Sequence, residues 1–255
     1  IKNRIKKLEL TLQDIPTLKG FDNLEKLSIS LINKEELSAK DLSSFGDFKN
    51  LKTLNINVDK SVLDEIRPSW GEKKVILSSL DGLKASKLKY FSAMDIGLSD
   101  IKSLIDCKEI LHLSLDKNEE LENINPLRNC IKLEILNLNK TSIKTLTPLR
   151  NISALEIISI SECHSLTNLE GLESLKLKIT DTNINNENKN FDESSLIMLD
   201  SLKSIEHLPE LNSSILRIRD INISNLKGLE NSNHISELYI NSVPLLEDIN
   251  SLSEL

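Results

Sequence analysis

The chain has 255 residues, with 32 basic and 39 acidic side chains for a net charge of −7, and 39% of it is hydrophobic. Its apolar residues are overwhelmingly aliphatic, 47 Leu and 31 Ile against eight aromatics, and Gly (7) and Pro (6) are both scarce. No apolar run approaches the roughly eighteen residues that cross a bilayer, and an acidic chain lacks the concentrated basic surface that phosphate binding needs, so neither membrane insertion nor a nucleic-acid partner is expected.

The charge is uneven: residues 1–127 hold 20 basic and 21 acidic groups, residues 128–255 hold 12 and 18. The basic start, Ile1 to Lys7, runs into a polar Thr/Gln/Asp mixture rather than an apolar stretch, unlike a secretory leader. Three cysteines, Cys107, Cys130 and Cys163, do not make a disulfide framework. They tilt the compartment, otherwise left open, towards an intracellular one.

From the N-terminus onward, pairs of apolar residues two apart recur along the chain: Leu8/Leu10, Leu27/Ile29, Leu54/Ile56, Val75/Leu77, Phe91/Ala93, Leu113/Leu115, Leu136/Leu138, Ile158/Ile160, Leu177/Ile179, Ile197/Leu199, Leu216/Ile218 and Leu238/Ile240. They are spaced by 19 to 23 residues, except for 27 after Leu27 and 16 after Val75. Each pair puts two side chains on one face of a short strand. The residues that follow, as in Ile143-x-x-Leu146-x-Pro148-Leu149, return apolar groups to the same interior. One such coil cannot bury its own apolar side, whereas stacked coils cover one another. The expected architecture is a single α/β solenoid over residues 1–255, with about twelve short parallel strands on a concave face. Returns of about fifteen residues are too short for long helices and should form 3₁₀ turns or extended segments. Asn33 to Phe48 is long enough for a helical turn or two. Ile1–Lys7 is too short for a polar cap and Leu255 stops inside a repeat, so terminal caps are not expected within this chain.

The pattern resembles the leucine-rich repeat family. The endings Leu121-x-x-Ile124-x-Pro126-Leu127, Ile143-x-x-Leu146-x-Pro148-Leu149 and Ile223-x-x-Leu226-x-Gly228-Leu229 are similar to the short repeats of bacterial internalins and of the SDS22-like class. The resemblance implies an inward Asn in each coil that satisfies the backbone of the turn. That slot reads Gln13, Ile32, Asp59, Leu80, Ile96, Asn118, Thr141, Cys163, Thr182, Leu202, Ile221 and Val243. With one Asn among twelve, a continuous amide ladder is not expected, and the donors must find other partners.

Motifs for chemistry are lacking. There is no glycine-rich phosphate loop, no C-x-x-C and no H-E-x-x-H, and the four histidines fall in different coils. Cys163–His164 reads as a buried thiol beside a surface imidazole, since neighbours on a turn point apart. Cys107 and Cys130 occupy nearly equivalent places in successive coils and read as a reduced core pair. No enzyme activity, metal or cofactor is expected.

Residues alternating with the strand anchors face outward in columns. Tyr90, His112, Ile135 and Ile157 follow one another in the first column, and an exposed aromatic and aliphatic stripe marks a contact site. Met198, Arg217, Arg219 and Tyr239 form a second group, of the residue types that dominate interfaces. These eight are the candidate partner-binding residues. The function read from them is non-catalytic protein–protein interaction through the concave face, with the chain a monomer or part of a larger protein. Two alternatives stand beside it: the sensing or substrate-recognition arm of a larger enzyme or immune receptor, and an internalin-type bacterial adhesin.

Overall fold

The computed structural model describes residues 4–12, 20–31, 41–43, 48–58, 77–180, 193–197 and 200–254. It divides into two compact units, Ile1–Leu133 and Glu134–Leu255. Among the described residues no helix is long and apolar enough to cross a membrane.

In the first unit, β1 (Lys7–Leu12), β2 (Lys26–Leu31), β3 (Thr53–Val58), β4 (Tyr90–Met94) and β5 (His112–Ser114) lie in chain order. All are parallel, and the anchors align as Leu8, Leu27, Leu54, Phe91 and Leu113. From Leu27 to Leu113 both anchors of each strand are buried; Leu8 and Leu10, on the outermost described strand, are only half-buried because one neighbour covers them. β3 pairs directly with β4, so no strand stands between them at Val75–Leu77, where the repeat pattern had placed one. Val75 lies outside the described residues. Leu77 runs instead beside the turn that follows β4, its N–H donating to the Ile96 carbonyl. The helical turn expected at Asn33 to Phe48 lies outside the described residues but for Asp41–Ser43 and Phe48.

In the second unit, β6 (Ile135–Asn137), β7 (Ile157–Ser159) and β8 (Lys176–Thr180) are parallel neighbours, and a short β10 (Glu210–Leu211) lies beyond β8. A second ladder joins β9 (Glu193–Ile197), β11 (Ile215–Arg219) and β12 (Glu237–Asn241). Two registers differ from the sequence pattern. Ile158 pairs with Ile179, not Leu177, while Leu177 pairs with Leu211 of β10. Leu175, Leu177 and Ile179 alternate, so a slip of two keeps the same face inward. Leu216 and Ile218 pair with Ser194 and Leu196, three residues before the expected Ile197 and Leu199. The run Leu196-Ile197-Met198-Leu199 offers an apolar pair in either parity, and the pattern alone cannot choose between them.

The returns owe their shape to a period of three. Leu98, Ile101, Leu104, Cys107 and Ile110 are buried in succession, as are Leu121, Ile124, Leu127, Cys130 and Leu133. Many of these residues donate the N–H to the carbonyl three before: Leu104 to Ile101, Cys107 to Leu104, Cys130 to Leu127, Leu133 to Cys130, Ile152 to Leu149. The same residue thus buries its side chain and closes a 3₁₀-type turn, the geometry in which i and i+3 eclipse. True 3₁₀ stretches occur at Lys102–Asp106, Asn125–Asn129 and Thr147–Leu149. Asp100, Asn123, Thr145, Asn168 and Asn225 start the returns, each side chain accepting from the N–H two residues on, the Asx and Ser/Thr turn.

The next small position is Pro or Gly by need. Pro126 and Pro148 preset φ for the 3₁₀ turn. Gly171 instead takes φ +106°, and a Cβ there would strike the Leu146 backbone of the coil below. Gly171→Ala should therefore lower stability by about 2–4 kcal/mol, read as the urea midpoint at unchanged slope.

Charged residues stitch coils at the strand entries. Glu25 accepts Lys52 at 2.8 Å and Lys6 at 3.1 Å. The Lys52 hydrogen bond, then Lys6, holds its carboxyl down at about 2 from an ordinary 4.5. The folded state then binds this proton less readily than the unfolded chain, so the stabilisation is present above pH 4.5 and fades as pH falls towards 2. Thermal melts of Glu25→Gln should differ most from wild type above that pH and converge with it in acid.

Candidate partner-binding face

Outward residues on neighbouring strands are set side by side by the ladder register. In the first unit Lys7, Lys26, Thr53, Tyr90 and His112 align in one row. Lys74, which precedes the Val75/Leu77 pair of the repeat pattern, lies outside the described residues. Tyr90 remains 39% exposed and meets the His112 ring edge-to-face, centroids 5.0 Å apart and planes at 89°. That geometry is the one an aromatic quadrupole favours.

In the second unit Ile135 and Ile157 are in register and both half-buried. The neighbour of Ile157 on β8 is Lys178, not Lys176 as the pattern suggested. In the next row, Asn137 and Ser159 were expected to face solvent beside Lys178, but both are buried, and their neighbour on β8 is the buried Thr180. The Ser159 hydroxyl lies 2.9 Å from Asn139 Oδ1 and 3.1 Å from the Thr180 carbonyl, and Asn139 Oδ1 also accepts the Ser161 N–H. Small polar side chains between bulkier neighbours sink below the surface and bond along the strand face. Asn137 Oδ1 has no partner there.

On β11 and β12, Arg217 is in register with Tyr239, its guanidinium carbon 4.4 Å from the ring centroid. The Tyr239 hydroxyl donates to Glu237 at 2.7 Å, and the ring is 40% exposed. Arg219, two residues along, is exposed and pairs with Asp220 at 3.0 Å. Met198 lies outside the described residues, and the register partner of Arg217 on β9 is Ser195. Thus the structure brings the candidate residues together two by two: Tyr90 with His112, Ile135 with Ile157, Arg217 with Tyr239. Glu237, which holds Tyr239, falls in the outward column by the repeat pattern but was not among the candidate residues, although its spacing of two on a strand places it on the same face.

Two imidazoles meet carboxylates on the surface. His164 Nδ1 is 2.7 Å from Asp200. Glu210 takes Lys176 at 2.7 Å and His234 at 3.3 Å, and both partners hold its carboxyl below the ordinary value, the Lys176 hydrogen bond most of all. Among the described residues no three His, Cys, Asp or Glu side chains are grouped to hold a metal ion.

Among solved structures, an internalin (inlF) from Listeria monocytogenes is similar over all of this chain and 72% of its own, at 20% identity and a TM-score of 0.51. A repeating coil with one parallel strand per turn, built on that same fold, decides the architecture. This is a leucine-rich-repeat solenoid. Internalin C2 from the same organism (17% identity, 94% of this chain and 82% of that one, TM-score 0.49) and a leucine-rich-repeat protein from Leptospira interrogans (17%, 100% and 76%, 0.47) are also similar. No protein-family model and no curated protein matches the sequence.

The leucine-rich-repeat Asn slot survives once among the described residues. Asn118 Oδ1 accepts the N–H groups of Ile96 (3.3 Å) and Leu98 (2.9 Å), and its Nδ2 donates to the carbonyls of Ala93 (2.7 Å) and Leu115 (2.8 Å). In the second unit Thr141 and Cys163 fill the slot, both directed at the Leu138 carbonyl, 2.6 and 3.1 Å away, and 3.5 Å from each other. Leu80, Ile96, Leu202 and Ile221 are simply buried; Gln13, Ile32, Asp59 and Thr182 lie outside the described residues.

All three cysteines are buried free thiols, and Cys163 is no nucleophile exposed beside His164. Burial pushes Cys107 up to about 12, with Cys130 and Asp106 adding to it, and burial pushes Cys130 up to about 11. A buried thiol held protonated is unreactive. Native protein at pH 8 should leave a disulfide reagent such as DTNB uncoloured over minutes, and guanidinium should release all three thiols.

Proposed function

We propose that this leucine-rich-repeat solenoid is a non-catalytic protein-interaction module that receives a partner protein on its concave strand face. The observation that carries the reading is the presentation of Tyr90 and Tyr239. Phe48 and Phe91 are buried, whereas these two tyrosines stand about two-fifths exposed on strands, each held by an in-register neighbour. Aromatic and Arg side chains fixed in this way lose little freedom on binding and are the types that anchor interfaces. The face of a coil stack has room for the roughly 800 Å² that a standard interface takes from each partner. The surface pairing of His164 with Asp200 and of Lys176 and His234 with Glu210 supports a binding surface rather than a reactive centre.

A pull-down with wild type beside Tyr90→Ala/Ile135→Ala/Ile157→Ser tests the reading, after matched circular dichroism and melting temperature. A protein held by wild type and released by the variant is the expected result. Equal retention moves the contact to Arg217 and Tyr239 and is checked with Arg217→Ala/Tyr239→Ala; retention by both variants would refute binding through the strand face.

A further inference from the structure

Asn137 is the outlier on the strand face of the second unit. It is 6% exposed, and its Oδ1 is buried without a hydrogen-bond partner, a state that destabilises the fold. The adjacent hydroxyl does not relieve it, because Ser159 is engaged with Asn139 and the Thr180 carbonyl. Asn137 shares its face of β6 with Ile135 by the two-residue period. Ile135 and Asn137 lie in register with Ile157 and Ser159. An orphan acceptor therefore adjoins a half-buried aliphatic pair. Glu134 and Glu156 immediately precede the two isoleucines at the strand entries, and Lys178 bounds the site on β8. The whole unit is acidic, with 10 basic and 18 acidic residues over 134–255, against 22 and 21 over 1–133.

We infer that the face of β6 and β7 is a docking site for a basic segment of a partner protein, in which an Arg or Lys side chain lies along Ile135 and Ile157 and donates to Asn137 Oδ1. The inference rests on the protein-binding reading above and narrows it to one place and one chemistry. A long basic side chain fits all three features: an aliphatic stem for the isoleucines, N–H donors for the orphan oxygen, and positive charge for the acidic unit. The terminal torsion of Asn is soft, so a rotation of the amide turns Oδ1 towards an arriving donor. A purely structural role would instead have a donor from the protein already in place.

The test is fluorescence anisotropy of labelled deca-arginine, with labelled deca-glutamate as control, on the full chain at physiological ionic strength. Wild type should bind deca-arginine and not deca-glutamate. Asn137→Leu should weaken binding by about tenfold or more, the loss of one hydrogen bond to a charged donor, while melting no lower than wild type because the orphan acceptor is gone. Asn137→Asp, which keeps the shape and charges the acceptor, should tighten binding. Equal affinity of wild type and Asn137→Leu would reduce the attraction to net charge and overturn the site, as would tighter binding of deca-glutamate or no tightening by Asn137→Asp. If a partner is retained equally by wild type and Asn137→Leu in the pull-down, the site is overturned and the protein-binding reading stands.

Discussion

Every coil of this protein has an apolar side and two open backbone edges, and neither can be satisfied within the coil. The next coil does both at once. Its anchors cover the apolar side, while its strand and turn accept the donors, as where the N–H of Lys140 meets the Ser161 carbonyl and that of Asp95 meets the Asp116 carbonyl. Stability is therefore a property of adjacent pairs of coils, in the manner of a one-dimensional array. Leu238 and Ile240 on β12, the outermost described strand of its ladder, show the converse. They occupy anchor positions yet stay half-exposed, because one neighbour covers them.

Turning sharply after each strand requires a backbone conformation that most residues avoid. Asp95, Lys117, Lys140, Glu162, Asp220 and Ser242 all have φ between +52° and +61°, and each stands two residues after the second anchor of its coil. None is β-branched, and none is glycine. A left-handed non-glycine residue costs about 1–3 kcal/mol, and the cost is offset because the turn it makes aims the N–H into the next coil. Lys140 and Glu162 occupy this place in consecutive coils and pair at 2.9 Å, so the strained position also carries a surface ion pair. The strain recurs with the repeat, and belongs to the architecture rather than to one site.

The anchors, the parallel ladders and the 3₁₀ returns were legible in the sequence because each follows from a period: two on the strand, three on the return, about twenty-two between coils. The left-handed position was not, because Asp, Lys, Glu and Ser share no property that a pattern search would notice. Legibility also failed wherever apolar residues were too plentiful. Leu175-Lys-Leu177-Lys-Ile179 admits two registers on one face, and Leu196 to Leu199 admits both faces, so hydrogen bonding had to choose. Of the candidate site, the pairs Tyr90–His112, Ile135–Ile157 and Arg217–Tyr239 followed from the ladder register. The burial of Asn137, Ser159 and Thr180 did not, because alternation says which face a residue takes but not how deeply a small side chain sinks between larger ones.

The division of labour along each strand explains how such a surface can be specialised without disturbing the fold. Anchor positions face the buried core, where a lost methylene is felt. Outward positions answer only to their cross-strand neighbours, each worth about 0.2–1 kcal/mol. Phe91 and Tyr90 are adjacent, yet Phe91 is fixed by packing on all sides while Tyr90 is braced by one edge-on imidazole. The same separation holds on β11 and β12, where Leu216 and Ile218 are buried and Arg217 leans on a tyrosine whose hydroxyl is held by Glu237. Because the ladder fixes register, exchanging one outward residue changes what its neighbours present without moving them. A stack of coils thus offers a surface whose chemistry can differ from strand to strand, and the near-neutral first unit and the acidic second unit differ in that way.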